Sequence, residues 1–154
     1  MHLKVGDKAP LFEGITDSGE RFSLGELIGK KEIVLYFYPK DETFGCTKEA
    51  CAFRDEWSRI TALGATVIGV SSDSVESHKR FKEHHSLPFT LIADESQEIR
   101  KKYGVARSIL PIPPRVTFVI DREGKIAHIF SSQLEFNKHV EESLKALAAR
   151  KPAQ

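Results

Sequence analysis

The stretch from Glu32 to Cys51 reads EIVLYFYPKDETFGCTKEAC and decides the fold. Its first part, Glu32–Tyr38, is an almost continuous apolar run, which predicts a central strand covered on both faces. Pro39 ends this run. A helix is predicted to begin near Gly45 and to continue to a terminating glycine, Gly64, because apolar residues recur at spacings of three and four. Those apolar residues are Ala50, Phe53, Trp57 and Ile60.

The sequence on either side of this unit continues the alternation of strands and helices. A turn at Asp17-Ser18-Gly19 predicts an N-terminal hairpin, and a short helix is predicted near Leu24–Ile28. Further strands are predicted over residues 66–71, 89–94, 115–121 and 125–131, and further helices over residues 74–85, 95–104 and 134–150. This order predicts an α/β fold in one domain over residues 1–154. It is a central mixed sheet flanked by helices, similar to the thioredoxin arrangement, with the N-terminal hairpin as an extension.

The composition argues against several classes of function. Hydrophobic residues make up 40% and charged residues 29% of the 154 residues, as in ordinary globular proteins. The 23 basic and 22 acidic residues nearly cancel, so the charge gives no indication of nucleic-acid binding. No apolar run approaches the ~18 residues of a membrane-spanning helix, and the N-terminus lacks the apolar core of a signal peptide. We therefore expect a cytoplasmic protein without membrane association.

Cys46 and Cys51 are the two cysteines of the chain, and their spacing argues against a metal site. Zinc sites mostly use cysteine pairs separated by two residues and need four ligands. None of the six histidines stands at a recognised metal-site spacing from either cysteine. The pair His84-His85 ends a predicted helix beside basic residues and is expected to be solvated. No metal site is therefore predicted.

The predicted helix also keeps the two thiols apart. The Cα atoms of positions five apart on a helix lie roughly 8–9 Å apart, beyond the ~7 Å that a disulfide can span. A bond between Cys46 and Cys51 would therefore require the first helical turns to unwind. Cys46 lies in the first turn, where unpaired backbone N–H groups and the helix dipole favour a reactive thiolate. Cys51 can equally be a buried apolar thiol or the partner of Cys46.

The segment around Cys46 resembles the active site of a known family. PKDETFGC fits the pattern P-x3-T-x2-C of peroxiredoxins, with Pro39, Thr43 and Cys46 in register. YFYPKD and GCTKEAC are similar to the peroxiredoxin Q subfamily, also called bacterioferritin comigratory proteins, and the resemblance extends from VGDKAPLF to RVTFVID. One departure is Phe44, which stands where the family usually has proline. We expect it to loosen the first helical turn or to make the mouth of the pocket more apolar.

The resemblance implies a role for each residue of the motif. Cys46 is the peroxidatic thiolate, and Pro39 shields its sulfur from water. Thr43 bonds a peroxide oxygen through its hydroxyl, caps the helix, or does both. Arg115, which opens the predicted strand RVTFVI, favours the thiolate and stabilises developing negative charge. Cys51 is the resolving cysteine.

The implied activity is a thiol-dependent peroxidase that reduces hydrogen peroxide and organic hydroperoxides. The resemblance further implies a sulfenic acid intermediate, an intramolecular Cys46–Cys51 disulfide, recycling by thioredoxin or a similar dithiol, no cofactor and a monomeric state. Glu49, one turn after Cys46, either orients an arginine in the pocket or belongs to the helix surface. The alternatives are a thiol–disulfide oxidoreductase, disfavoured because a C-x2-C motif is absent, and a non-catalytic interaction module on the same fold.

Overall fold

The computed structural model describes residues 3–105 and 114–150, which form a seven-stranded sheet flanked by helices. The strands are β1 (Glu13–Thr16), β2 (Arg21–Ser23), β3 (Glu32–Phe37), β4 (Ala65–Ser71), β5 (Thr90–Ala93), β6 (Val116–Ile120) and β7 (Ile126–Ser131). The helices are α1 (Phe44–Asp55), α2 (Trp57–Ala62), α3 (Val75–His85), α4 (Glu98–Lys102) and α5 (Phe136–Ala149), with a 3-10 helix at Leu24–Glu26. The strand order is β2-β1-β5-β4-β3-β6-β7. Strands β3, β4 and β5 are parallel and the other neighbours antiparallel, so the predicted mixed sheet is confirmed.

Strand β3 divides the core into two layers. Its side chains alternate between the two faces of the sheet, as the pleat of a strand requires. Val34 and Tyr36 pack with residues of α1, α2, α3 and α5. Ile33, Leu35 and Phe37 pack on the opposite face with the N-terminal segment and α4. Because each fully buried side chain of this size contributes about 1.5–3 kcal/mol, β3 firmly fixes the loop that follows it.

The helix predicted after the central strand is interrupted, so the prediction of one continuous helix is wrong. α1 ends at Asp55, and Glu56 leaves helical geometry with φ −102° and ψ 9°. The break allows Trp57 to pack on Phe89, with ring centroids 6.2 Å apart, while Ile60 is fully buried. Tertiary packing therefore overrides the apolar periodicity. As a result, Trp57 lies on a different helix from the two cysteines.

The other predicted elements are present with small shifts. The N-terminal hairpin pairs β1 with β2 and joins the sheet through β5. α3 buries His78 and Phe81. The prediction of one domain over residues 1–154 extends beyond the described residues and stays a prediction. Across the part of the chain described, no helix has the length and apolar character needed to cross a membrane.

The sheet topology brings two distant segments to one edge. β6 runs antiparallel to β3, and Val116 lies opposite Phe37. Arg115, directly before β6, therefore lies next to the loop that connects β3 to α1. This edge is the carboxyl end of the parallel strands, where sites form in open α/β sheets. The fold thus places a cation beside the first turn of α1.

Candidate active site

Cys46 is the third residue of α1 and is buried, with 1% of its surface exposed. Thr43 occupies the N-cap position in an extended conformation. Its hydroxyl donates a hydrogen bond to the carbonyl of Lys40 at 2.8 Å and makes no capping bond, so the side-chain cap considered from the sequence is wrong. The first-turn N–H groups are therefore not bonded by the Thr43 side chain, and they favour an anion at this end of the helix.

Arg115 links the thiol to a buried carboxylate. Its Nη1 donates to Cys46 Sγ at 3.5 Å and to Glu49 Oε1 at 2.7 Å, and its Nε donates to the carbonyl of Gln133 at 3.3 Å. The guanidinium lies over the ring of Phe136, 5.0 Å from its centroid. Burial lowers the pKa of Arg115, but the negative charges of Glu49 and Cys46 raise it overall. A positive charge is thus fixed against the sulfur.

Glu49 is fully buried one turn after Cys46, and its hydrogen bonding is only half satisfied. Oε1 accepts from Arg115, whereas Oε2 has no hydrogen-bond partner among the described residues. Burial raises the pKa of Glu49 to about 8, although the charge of Arg115 opposes the rise. The sequence left open whether Glu49 orients an arginine or belongs to the helix surface. The structure places it in the interior, against Arg115.

His139 of α5 lies on the far side of Glu49 and was not singled out from the sequence. Its Nδ1 lies 3.5 Å from Glu49 Oε2 and 2.8 Å from the hydroxyl of Thr117. Its Nε2 donates to the carbonyl of Ser132 at 2.8 Å. Burial lowers the pKa of His139 to about 4, so the ring is neutral at physiological pH and Nδ1 accepts from Thr117. A histidine on the apolar face of an amphipathic helix was the signal that could have found it.

A second buried network fixes the loop before α1, and the sequence analysis also missed it. Asp41 accepts from the hydroxyls of Tyr38 at 2.6 Å and Ser77 at 2.8 Å, and from His78 Nδ1 at 2.7 Å. His78 Nε2 lies 2.9 Å from the carbonyl of Ile92, so both ring nitrogens face acceptors and both donate. Burial lowers the pKa of His78, but the bonds to Asp41 raise it overall. This network, called here the Asp41 network, ties the loop to α3.

The predicted site residues take different places around these two networks. Cys46 and Arg115 are in direct contact, Thr43 stands at the helix start, and Pro39 is half-buried two residues after the end of β3. Cys51 is half-buried further along α1, and both cysteines are free thiols. Because α1 runs unbroken through both positions, the separation expected from helix geometry applies. A Cys46–Cys51 bond would require α1 to unwind.

The mouth of the site is apolar. Phe44 is 74% exposed and contacts the ring of Phe136 edge-on at 6.3 Å. Leu134, two residues before Phe136, is 80% exposed. Gly45 lies directly beneath the Phe136 ring, where a Cβ atom would collide with it. Of the two effects expected for Phe44, this geometry supports the more apolar mouth.

Two groups of histidine and acidic side chains within residues 3–105 and 114–150 lie close enough together to consider as metal ligands. One is Asp41, Asp73 and His78, and the other is Glu42, His84 and His85. Neither includes a cysteine. The side chain of His85 is only 17% exposed, so the expectation that His84 and His85 are both solvated is wrong for His85.

The geometry around Cys46 suits nucleophilic chemistry by a thiolate. A buried sulfur at the start of a helix faces a guanidinium that is itself held by Glu49. Such donors stabilise charge that develops on an attacked or departing oxygen. Residues 5–129, more than half of the chain, match the family model described as AhpC/TSA family.

This chain belongs to the AhpC/TSA family. It is 46% identical over 149 residues to the putative peroxiredoxin bcp of Coxiella burnetii, covering 92% of this chain and 97% of the relative. It is also 44% identical over 146 residues to a chloroplastic peroxiredoxin Q of Oryza sativa subsp. japonica, covering 94% of this chain and 67% of the relative. The resemblance to peroxiredoxin Q read from the sequence is confirmed.

Two solved structures have the same fold. The crystal structure of the peroxidoxin BcpB from Mycobacterium tuberculosis superposes with a TM-score of 0.92 at 33% identity, covering 98% of this chain and 100% of that one. A cysteine-to-serine mutant of PrxQ from Xylella fastidiosa gives 0.89 at 29% identity, covering 97% and 98%. The thioredoxin-like fold is therefore confirmed. Family membership and the thiol site together identify this chain as a thiol-dependent peroxidase.

Proposed function

We propose that Cys46 is the peroxidatic residue of this peroxidase and that Arg115 is its main electrostatic partner. The observation that carries the proposal is the bifurcated contact of Arg115 Nη1, at 3.5 Å from Cys46 Sγ and 2.7 Å from Glu49 Oε1. A guanidinium held by the buried Glu49 side chain keeps its orientation during the reaction. It therefore stabilises the thiolate before attack and the oxygen charge that develops during attack.

The chemical step is an in-line displacement at the peroxide. The Cys46 thiolate forms an S–O bond to the terminal oxygen of a hydroperoxide, and the O–O bond breaks. The hydroxyl group stays on sulfur as sulfenic acid, and the departing hydroxide or alkoxide takes a proton from solvent. The Thr43 hydroxyl donates its hydrogen bond to the backbone carbonyl of Lys40, so its oxygen is suited to accept a hydrogen bond from the peroxide O–H. Pro39 covers the site at the end of β3.

The second step forms the disulfide. The first turns of α1 unwind, the Cys51 sulfur attacks the sulfenic sulfur of Cys46, and water leaves with the sulfenic oxygen. A dithiol reductant of the thioredoxin type then restores both thiols by exchange. A protein disulfide oxidoreductase is a poorer fit, because the intact helix keeps the two sulfurs from bonding without this local unfolding.

The test is peroxide reduction by the pre-reduced protein, with thiol content and intact mass measured after one equivalent of peroxide. Wild type is expected to lose both thiols as a disulfide and to turn over with thioredoxin. Cys46→Ser is expected to consume no peroxide. Cys51→Ser is expected to gain one oxygen atom and then stop. Normal turnover by Cys51→Ser would make Cys51 a core thiol, and peroxide consumption by Cys46→Ser would overturn the assignment of Cys46.

We also propose that the protein acts as a monomer in the cytoplasm. Support for the location comes from the cysteine usage, since two cysteines in 154 residues do not resemble the dense disulfide frameworks of small secreted domains. The monomeric state is supported only by the resemblance to the peroxiredoxin Q subfamily. Sedimentation of reduced and oxidised protein over a range of concentrations tests it, and a concentration-dependent dimer would contradict it.

A further inference from the structure

Three side chains outside the thiol site meet beside the loop that leads into α1. Glu42 Oε2 lies 2.9 Å from His84 Nδ1, and Glu42 Oε1 lies 2.9 Å from His85 Nε2. One ligand atom from each residue lies within 4.8 Å of the others. We call this group the Glu42 cluster. Side-chain exposures of 44% for Glu42 and 67% for His84 leave it open to ions from solvent.

The backbone holds the Glu42 cluster together from two separate elements. Glu42 has φ 60°, a left-handed conformation that is uncommon for a residue with a side chain. His84 and His85 are the last two residues of α3, and their rings lie 4.2 Å apart. Adjacent helical residues normally diverge, yet both imidazoles here reach one carboxylate. Strained conformations of this kind concentrate at functional sites.

Two imidazole nitrogens and one carboxylate are a donor set that Zn²⁺ takes when it keeps a fourth position for water. Ligand atoms ~2.0–2.1 Å from a tetrahedral zinc stand ~3.3–3.4 Å apart. The two imidazoles contact different oxygens of Glu42 at 2.9 Å, and one ligand atom from each residue lies within 4.8 Å of the others, so rotation of the exposed His84 side chain would bring the three atoms to this spacing.

The neighbouring group of Asp41, Asp73 and His78 does not suit a cation. Both nitrogens of His78 donate to protein oxygens, and the Asp41 carboxylate accepts three hydrogen bonds. Asp73 Oδ2 accepts from the backbone N–H of Asp41 and from the hydroxyl of Ser71. A metal ion would have to break this buried network. The Glu42 cluster offers its donor atoms at the surface instead.

We propose that the Glu42 cluster binds one zinc-class divalent cation per chain, and that the bound ion restrains the start of α1. Glu42 directly precedes Thr43, the N-cap residue of the helix that must unwind before Cys46 and Cys51 can bond. An ion shared by Glu42 and α3 holds this end of the loop in place. The second part rests on the proposed two-cysteine mechanism, whereas the binding of the cation does not.

The binding test uses the full chain with Cys46→Ser and Cys51→Ser, so that thiolates cannot take the metal. Titration calorimetry with zinc chloride at neutral pH is expected to give one ion per chain. The imidazole resonances of His84 and His85 are expected to shift in nuclear magnetic resonance spectra. Adding Glu42→Gln and His84→Ala should weaken binding by more than the roughly 10–100-fold that loss of an outer-shell partner costs.

A matched control is available in the pair His128 and Glu142, whose side chains lie 2.9 Å apart. This pair has the same chemistry but lacks the second imidazole. His128→Ala should leave the affinity for zinc unchanged. Thermal unfolding without zinc checks that each variant is folded. Absence of stoichiometric binding, binding that survives Glu42→Gln with His84→Ala, or equal loss in His128→Ala would overturn the site.

The kinetic test follows disulfide formation in protein that retains both cysteines. With free zinc at about 100 times its Kd, mass action favours the ion-bound state by roughly 100-fold, and disulfide formation should slow by up to that factor. Glu42→Gln with His84→Ala should abolish the slowing. Equal slowing in that variant would overturn the restraint on α1. Failure to consume peroxide in protein that binds zinc would contradict the proposed function and leave the cation site standing.

Discussion

Two buried carboxylates flank the start of α1, and they differ in how fully the fold satisfies them. Asp41 accepts from two hydroxyls and an imidazole, so its oxygens are well supplied with donors. Glu49 accepts from Arg115 alone, and its Oε2 has no hydrogen-bond partner among the described residues. Buried polar groups whose hydrogen bonds are all satisfied make a fold rigid. A buried polar group that lacks a hydrogen-bond partner stores free energy that a reaction can use. The comparison assigns Asp41 to structure and Glu49 to chemistry.

The histidine beside each carboxylate follows the same division. His78 donates from both nitrogens, and the bonds to Asp41 raise its pKa against the effect of burial. His139 accepts at Nδ1, and burial lowers its pKa to about 4. One network therefore holds a favourable ion pair, while the other keeps a neutral ring beside a carboxyl group. Side chains with shifted pKa values beside a reactive cysteine are typical of functional sites.

The largest expected effect is on stability, from Asp41→Asn. The amide places N–H donors where three donors already converge, and it removes the negative charge opposite His78. Breaking such a buried pair costs about 3–5 kcal/mol of unfolding free energy, and we expect the low end because the side chain keeps its shape. Urea unfolding monitored by circular dichroism measures this. A loss below about 1 kcal/mol would contradict a structural role for the Asp41 network.

The pH dependence of the Asp41→Asn effect follows from His78. The pKa of His78 is raised in the folded state above its ordinary value of 6.5. The stability that it contributes is therefore fully present below pH 6.5 and is lost as pH rises through the folded pKa. The difference in unfolding free energy between wild type and Asp41→Asn should shrink as pH increases from 6 to 9. A difference that grows with pH would mean that His78 is neutral in the fold.

The next effect is on rate, from Arg115→Met. This change removes the one hydrogen-bond donor that Glu49 has within residues 3–105 and 114–150, and it removes the cation beside Cys46. Loss of one preorganised donor at a developing oxygen charge typically costs about 100–1,000-fold in rate. Stopped-flow measurement of the first peroxide turnover checks this, with Arg115→Lys as the control that keeps the charge. If Arg115→Met reacts within about threefold of wild type, the electrostatic role of Arg115 is wrong.

The sequence predicted the catalytic centre better than the network behind it. The run Glu32–Tyr38 and the motif around Cys46 are local patterns, and they placed the central strand, the helix start and the nucleophile. Arg115 was found through the family resemblance. His139 and Glu49 become partners only when α5 packs on α1, and the sequence does not record which faces of two distant helices meet. The break at Glu56 was missed because packing against Phe89, not local propensity, produces it.

A smaller effect is expected on the pH dependence of stability, from Glu49→Gln. The pKa of Glu49 is about 8 in the fold and about 4.5 when unfolded. The folded state then holds a proton that the unfolded chain releases, so unfolding free energy falls as pH rises from 4.5 to 8. Glu49→Gln should remove this fall, whose slope for one proton is at most about 1.4 kcal/mol per pH unit, and so gain stability relative to the parent as pH rises towards 8.

The Glu49→Gln comparison is made in a Cys46→Ser background, so that ionisation of the thiol does not contribute. Melting temperatures of parent and variant are measured from pH 5 to pH 8. Ser58→Ala, at an exposed position of α2 that carries no titratable group, serves as the control and should leave the slope unchanged. If the melting temperatures of parent and Glu49→Gln change with pH in parallel, Glu49 is ionised throughout this pH range. The contrast drawn with Asp41 would then be wrong.

The smallest effect is expected at Phe44, which opens α1 between the two networks. Its exposed ring contacts Phe136 and extends the apolar mouth above the Arg115 site. A bulky organic hydroperoxide that covers ~40 Å² of this surface gains ~1 kcal/mol, or roughly fivefold in kcat/KM. Phe44→Ala should lose this factor with cumene hydroperoxide and keep its rate with hydrogen peroxide.

Phe44→Pro separates bulk from backbone stiffness, because proline removes the ring and also fixes φ at the first helical position. Slower amide exchange near Cys46 in Phe44→Pro, with the same loss as Phe44→Ala, would assign the effect to the ring. If wild type, Phe44→Ala and Phe44→Pro have the same ratio of kcat/KM for the two peroxides, Phe44 has no part in substrate choice.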